Sequence, residues 1–228
     1  MKRSAKILTL AVALFAGFGA SAAHAEGFKT GVDLVSSYVW RGTELGDSPA
    51  IQPTLTYTFE NGVAIGGWGS YAIKDTAGAR YKEVDLSLTV PAGPFSISVI
   101  DYYIPTGART KAFTYSKTNG ADTVEADLAY TAGDLSLLAA YNFAGFDPND
   151  SHAVYGEASY KFYAGKDGFS AKAVAGVGSK YFYGGVGGTE KKLALVNTGI
   201  SVSKDRYTAS YIYNPISEQA SLVFMASF

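Results

Sequence analysis

Apolar and polar side chains alternate along most of the chain after residue 25. In the clearest stretch, Val84, Leu86 and Leu88 share one face, and Glu83 and Asp85 share the other. Such a period of two is typical of a β-strand with one apolar face. No apolar run after residue 25 approaches the roughly 20 residues that a membrane-spanning helix needs. The pattern therefore predicts an all-β fold.

Twelve segments show this alternation and are predicted to be strands. They cover residues 29–42, 50–60, 62–73, 81–90, 94–105, 122–132, 134–144, 152–164, 168–182, 192–203, 206–214 and 219–228. The fifth begins with strict alternation and loses it after Val99. No change in composition suggests a second domain, so we expect one domain over residues 26–228.

The connections between these segments also alternate. Every second one is a tight turn, such as Asn61-Gly62 or Gly133-Asp134, whereas most of the others are longer and polar, the longest being 105–121. Outer-membrane barrels have short periplasmic turns and longer external loops. An even number of strands with both termini in the periplasm fits this parity. The sequence therefore predicts an antiparallel transmembrane β-barrel of about twelve strands.

The composition agrees with a barrel wall. Tyrosine occurs 17 times and phenylalanine 13 times, and aromatic rings form girdles at the membrane boundaries of such barrels. A secreted, soluble β-sandwich also has many short alternating strands. It remains the alternative, although it does not account for the parity of the connections.

Both ends of the chain point to export. Lys2, Arg3 and Lys6 precede an apolar run, and small residues follow up to Ala25, which predicts a cleaved signal peptide over residues 1–25. The final segment ends in Phe228 and resembles the C-terminal signature that the bacterial barrel-assembly machinery recognises. We therefore expect that machinery to be a partner during biogenesis. Because the chain lacks cysteine, its stability must come from burial and backbone pairing.

Four stretches near the N-terminus carry a family resemblance. They read Ser36-Ser-Tyr-Val-Trp-Arg-Gly42, Pro49-Ala-Ile-Gln52, Tyr57-Thr-Phe-Glu-Asn-Gly62 and Gly66-Gly-Trp-Gly-Ser70. Together they resemble the start of the TorF-like family of largely uncharacterised bacterial outer-membrane proteins. The resemblance covers about residues 31–73 and implies the barrel fold and an outer-membrane location. It implies no catalytic residue.

Several acidic residues are predicted to face the barrel lumen. Glu83, Asp85, Glu125 and Asp127 alternate with apolar residues and lie in the external halves of their strands. A bulge near Val99 could also turn Asp101 inward. An acidic wall near the mouth would favour cations. Alternatively, these groups form ion pairs that brace the wall.

Other lumen candidates are basic or aromatic. Arg41, Lys161 and Lys172 point inward on the same count, and Arg41 could guide an anionic solute, although neutralising the carboxylates is the favoured role. Trp68, flanked by glycines, faces the lumen if alternation is strict and the lipid if a bulge intervenes.

These features favour a narrow passive channel for ions or small polar solutes, mildly selective for cations. The alternative is a non-conducting barrel whose external loops contact other molecules, including outer-membrane lipids and lipopolysaccharide. A third alternative, an enzyme that modifies lipids of the external leaflet, is disfavoured, because His152 is the one histidine after residue 25 and Ser179 is the one serine at a suitable height beside it. We expect neither a cofactor nor a metal. A formal net charge of −1 argues against a nucleic-acid partner.

Overall fold

A computed structural model describes residues 26–75, 80–147, 152–184 and 192–228. The strands are β1 Gly27–Val35, β2 Tyr38–Trp40, β3 Thr43–Gly46, β4 Ala50–Thr58, β5 Ala64–Ala72, β6 Lys82–Ala92, β7 Phe95–Tyr103, β8 Asp122–Ala132, β9 Leu135–Gly145, β10 Val154–Ala164, β11 Phe169–Ser179, β12 Leu193–Lys204, β13 Tyr207–Asn214 and β14 Gln219–Ser227. One short helix, α1, covers Lys180–Tyr183.

Twelve of the strands form one closed barrel. β1 pairs with β4, and β4 to β14 follow one another around the wall. Each neighbouring pair is antiparallel, and the barrel closes where β1 pairs with β14 over Asp33–Val35 and Met225–Ser227. The predicted all-β antiparallel barrel is therefore confirmed. The sandwich alternative is wrong, because a barrel that closes on itself has no two stacked sheets.

The two ends of the barrel differ in their connections. At one end, here called the turn end, short turns join β4–β5, β6–β7, β8–β9, β10–β11 and β12–β13. Gly62 in the first of these turns has φ +81°, a conformation that glycine adopts without strain. The opposite end, here called the loop end, carries the longer connections, including 104–121 between β7 and β8.

The wall has an apolar outer face and a polar inner face. On β6, Val84, Leu86 and Leu88 point outward and are about half exposed, whereas Glu83 and Asp85 point inward and are buried. Such a closed barrel fits a membrane-embedded protein. Within the described residues, no helix is long and apolar enough to cross a membrane.

Two predicted strands extend too far. The first was expected to run from 29 to 42, but β1 leaves the wall after Val35, and residues 38–40 pair with β3 instead. Tyr38 and Trp40 of β2 follow the same parity as Val32 and Leu34 of β1. Periodicity alone therefore does not locate the bend. The ninth prediction, 168–182, includes the helical residues Lys180 to Phe182. The predicted signal peptide lies outside the described residues.

Candidate lumenal site

A hairpin formed by β2 and β3 crosses the inside of the barrel at its loop end. Its turn is Arg41-Gly42, and both residues have positive φ angles, +49° and +83°, as in the tight turns that suit two-residue hairpins. The hairpin reaches from β1 and β4 through the lumen to β12. There a Cβ added to Gly42 would lie 2.1 Å from the carbonyl oxygen of Val196 on β12.

Hydrogen bonds fasten the hairpin tip to the wall and to α1. The Thr43 hydroxyl donates to the carbonyl oxygen of Tyr183 over 3.0 Å. The Asn214 side-chain amide on β13 donates to the same oxygen over 2.8 Å. Tyr183 and Asn214 are almost completely buried, so these bonds are shielded from water.

The Arg41 side chain makes the most extensive contacts in the lumen. Nη1 and Nη2 donate to the two carboxylate oxygens of Glu125 over 2.7 and 2.8 Å, and Nη1 also donates to the Tyr183 hydroxyl over 2.9 Å. The guanidinium carbon lies 4.5 Å from the ring centroid of Trp40 and 4.5 Å from that of Tyr155. A bidentate carboxylate and stacked rings match the planar shape of a guanidinium.

Aromatic side chains pack around the hairpin at this level. The Trp40 ring centroid lies 5.4 Å from that of Tyr183 and 5.9 Å from that of Tyr102. On the other side of the hairpin, the Tyr38 ring centroid lies 5.4 Å from that of Trp68. We call this level, with the hairpin and the wall residues that contact it, the closing layer.

The structure turns the four predicted lumenal carboxylates inward, but they do not line an open mouth. Glu83, Asp85, Glu125 and Asp127 are each at most 5% exposed, because the hairpin covers them. Glu83 accepts a hydrogen bond from the Tyr81 hydroxyl over 2.8 Å. Asp127 lies 3.9 Å from Arg41 Nη2, and Oδ1 of Asp85 is buried with no hydrogen-bond partner.

Asp101 does not face the lumen. It pairs with Leu86 on β6 and Val124 on β8 in a continuous register, so no bulge turns it inward and it shares the outer face with them. Its carboxylate accepts a hydrogen bond of 2.6 Å from the hydroxyl of Tyr115 in the loop 104–121. This bond raises the pKa of Tyr115 to about 12, because the carboxylate disfavours a second negative charge. The loop is thus tied to the outside of the wall at this point.

The two predicted lumenal lysines lie away from the closing layer. Lys161 forms an exposed ion pair with Asp134 in a turn, with Nζ 3.2 Å from Oδ1. Lys172 is its cross-strand neighbour on β11 and pairs in turn with Ser201 on β12. Neither lysine contributes to the Arg41 site, because both lie on the turn-end side of their strands.

Trp68 faces the lumen, as strict alternation predicts. It pairs with Thr54 and Asp85 in a regular register, so no bulge moves it to the outer face. It contacts Tyr38 of the hairpin and so belongs to the closing layer. Arg41 likewise lies in the lumen, but at the turn of an inserted hairpin and not at the end of a wall strand.

Sequence reasoning missed the aromatic residues of the site, Tyr102, Tyr155 and Tyr183. They lie on β7, β10 and α1, and they converge only because the barrel closes. The available signal was the dipeptide Arg41-Gly42 between short alternating runs, which is compatible with a hairpin turn.

The two residues considered for an enzyme, His152 and Ser179, each contact backbone groups of the neighbouring strands. Nδ1 of His152 lies 3.4 Å from the carbonyl oxygen of Asn142, and its ring stacks on Tyr141. The Ser179 hydroxyl instead accepts a hydrogen bond from the backbone N–H of Val154 over 3.0 Å. Among the described residues, no group of three or more potential metal ligands is placed to hold an ion.

The fold and the site together define an antiparallel twelve-strand β-barrel whose lumen is crossed by its own first loop. The chain belongs to Gcw_chp, a family of bacterial proteins of unknown function, whose model matches residues 19–178. This range includes the hairpin, Glu125 and Tyr155. A search of curated proteins found no match. The finer TorF-like assignment stays a prediction.

Proposed function

We propose that the chain is a bacterial outer-membrane barrel, with its loop end outside the cell and its turn end in the periplasm. The apolar outer face supports this proposal, as do the exposed rings of Phe95, Phe169 and Phe228 near the turn end. Residues 1–25 would then be the signal peptide that directs export. Lipids and lipopolysaccharide would surround the wall, and the barrel-assembly machinery would insert it. We assign it no enzymatic activity.

We further propose that the barrel is a narrow, cation-favouring route for ions or small polar solutes, which the hairpin closes in the present state. The observation that carries this proposal is the closing layer, which buries four inward carboxylates and in which one guanidinium pairs with two of them, Glu125 and Asp127. Below this layer the inner face carries small hydroxyl side chains, such as the hydrogen-bonded pairs Thr89–Ser98 and Ser201–Ser210. A polar lining suits hydrated solutes.

A non-conducting barrel is the second candidate. The contact between Arg41 and Glu125 favours it, since both side chains are at most 4% exposed. Breaking such a buried pair costs about 3–5 kcal/mol. In this case the hairpin would be a permanent internal brace, and the loops would be the functional surface.

Conductance in planar bilayers separates the two candidates. The wild-type protein is compared with a variant in which residues 37–48 are replaced by a short Gly-Ser linker, after both are shown to fold by circular dichroism and heat-modifiable gel migration. We expect rare openings in the wild type and steady steps in the variant, with a reversal potential that indicates cation preference. A folded variant that still seals the membrane would favour the non-conducting barrel.

Amide substitutions test the selectivity. Glu83→Gln, Asp85→Asn and Asp127→Asn are introduced together into the hairpin-deleted variant, and the matched control is Asp134→Asn at the turn end. We expect the triple substitution to remove the cation preference and the control to retain it. Equal selectivity in both variants would contradict a role for these carboxylates.

A further inference from the structure

The surroundings of Arg41 have the construction of a binding site for a cationic group. Glu125 receives the guanidinium with both oxygens, and the Tyr102 hydroxyl donates to Glu125 Oε1 over 2.8 Å, which fixes the carboxylate. The Tyr155 ring covers one side of the guanidinium at 4.5 Å. The Tyr183 ring centroid lies 5.6 Å from the guanidinium carbon, and the Tyr183 hydroxyl accepts a hydrogen bond from Arg41 Nη1.

Apart from Trp40, the groups that contact the guanidinium belong to the barrel wall and to α1, whereas Arg41 itself lies on the hairpin. Glu125 and Asp127 are on β8, Tyr155 is on β10 and Tyr183 is in α1. If the hairpin moves, therefore, the acidic and aromatic groups stay behind as one set. We call this set, Tyr102, Glu125, Asp127, Tyr155 and Tyr183, the guanidinium cage.

The charge balance in the closing layer also favours an additional cation. Of the four inward carboxylates, Glu125 and Asp127 lie within 4 Å of the Arg41 guanidinium, and Asp85 makes no hydrogen bond through its buried Oδ1. Buried carboxylates that lack a counter-charge are costly. A cation that enters from the lumen would therefore be attracted to this layer even while Arg41 occupies the cage.

We propose that the guanidinium cage recognises a guanidino group on a small cationic solute, and that Arg41 occupies it as an internal substitute in the closed state. This inference rests on the proposed function and names the solute class of the route. A solute that takes the place of Arg41 removes the bidentate contact that holds the hairpin tip, and so couples recognition to opening. An ammonium group fits the cage less well, because it lacks the planar fork that matches Glu125 and the two rings.

The first test asks whether the cage binds a guanidinium that is not part of the chain. Arg41→Ala empties the cage, and methylguanidinium is titrated into the purified variant while tryptophan emission and thermal unfolding are recorded. Trp40 and Trp68 are the two tryptophans of the chain, and both lie in the closing layer. We expect saturable binding at millimolar concentrations and a raised melting temperature.

Matched controls make this result specific. The double variant Arg41→Ala/Glu125→Gln should bind methylguanidinium at least tenfold more weakly. Methylurea, which is neutral and has nearly the same shape, and tetramethylammonium, which is charged but not planar, should have little effect on Arg41→Ala. Equal responses to all three compounds, or an equal response in the double variant, would overturn the proposal.

The second test uses the wild-type protein in liposomes. We expect agmatine, which carries a guanidino group, to enter at least tenfold faster than putrescine, which carries only amines, and Glu125→Gln to lose the difference. Equal entry of both solutes would overturn the inference. If the hairpin-deleted barrel conducts but the cage shows no preference for methylguanidinium, the solute class is wrong and the channel stands. If the cage binds but that barrel stays sealed, the channel is wrong.

Discussion

Arg41 and Glu125 are separated by 84 positions in the sequence, yet their contact connects the inserted hairpin to the far side of the wall. Both side chains are shielded from water, so each provides the counter-charge that the other needs. An exposed pair such as Lys161 and Asp134 is in a different situation, because water screens it. The two pairs therefore allow the contributions of a buried and an exposed ion pair to stability to be compared within one barrel.

Glu125→Gln should lower the free energy of unfolding by about 3 kcal/mol, because buried Arg41 would lose its bidentate counter-ion and keep only Asp127 at 3.9 Å. The control Asp134→Asn removes an exposed partner and should cost less than about 1 kcal/mol. Urea titration of the folded barrel in lipid vesicles, followed by tryptophan emission, measures both changes. Similar small losses in both variants would contradict the buried ion pair.

At the scale of elements, the hairpin and the longest loop behave differently. The tip of β2–β3 lies directly against β12 inside the barrel, whereas the loop 104–121 is tied to the outer face through Tyr115 and Asp101. The shorter connection thus closes the lumen, and the longer one does not enter it at this point. Loop length alone would have suggested the opposite assignment.

Gly42→Ala should displace the hairpin tip, because the new Cβ would lie 2.1 Å from the Val196 carbonyl oxygen. The matched control is Gly93→Ala, which has a similar positive φ angle of +64° but no atom within 4 Å of the new Cβ. Both variants carry the backbone strain of a non-glycine residue, and only Gly42→Ala adds the clash. We expect a red shift of tryptophan emission in Gly42→Ala alone; a shift of equal size in the control would refute the close contact.

Tyr115→Phe should loosen the loop 104–121, since it removes the hydrogen bond to Asp101. Limited trypsin digestion at Lys111 and Lys117 should become several-fold faster. Tyr211→Phe, on the outer face of β13, is the control and should leave the rate unchanged. In the wild type, labelling of the loop by a chemical probe should also accelerate as the pH rises through about 12, where Tyr115 loses its donor proton.

The barrel wall exposes many large apolar side chains on the outside, and it turns the carboxylates of Glu83, Asp85, Glu125 and Asp127 inside, which is the reverse of a water-soluble barrel. Such an outer face fits an environment of lipid or detergent. The closed set of strands leaves no free edge in the ring of strand neighbours, and the inner face is occupied by the hairpin at the loop end. The architecture therefore combines a membrane-compatible wall with an internal closure.

Leu88→Arg, on the outer face of β6, should lower the free energy of unfolding in lipid vesicles by about 2–4 kcal/mol, as a charge near the middle of a bilayer does. The control Phe113→Arg places the same charge in the loop 104–121, where the side chain is already exposed, and should have little effect. Equal, small effects of the two substitutions would argue against a membrane around the barrel.

Local pattern determined the wall. The alternation in β6 and β8 was enough to predict that the side chains of Glu83, Asp85, Glu125 and Asp127 all point inward, because side chains of a strand alternate with a period of two. The parity of turns and loops was enough to predict an even, antiparallel barrel. Trp68 also follows from strict alternation once no bulge is present.

Tertiary structure alone decided what the lumen contains. Arg41 and Glu125 meet only when β8 closes opposite the hairpin, and Tyr183 reaches them from α1, so no local spacing records the contact. The bend after Val35 is also invisible to periodicity, because Tyr38 and Trp40 continue the parity of Val32 and Leu34. An alternating sequence specifies which face of a strand is polar, but whether that face meets water or another part of the chain depends on contacts between residues that are distant in sequence.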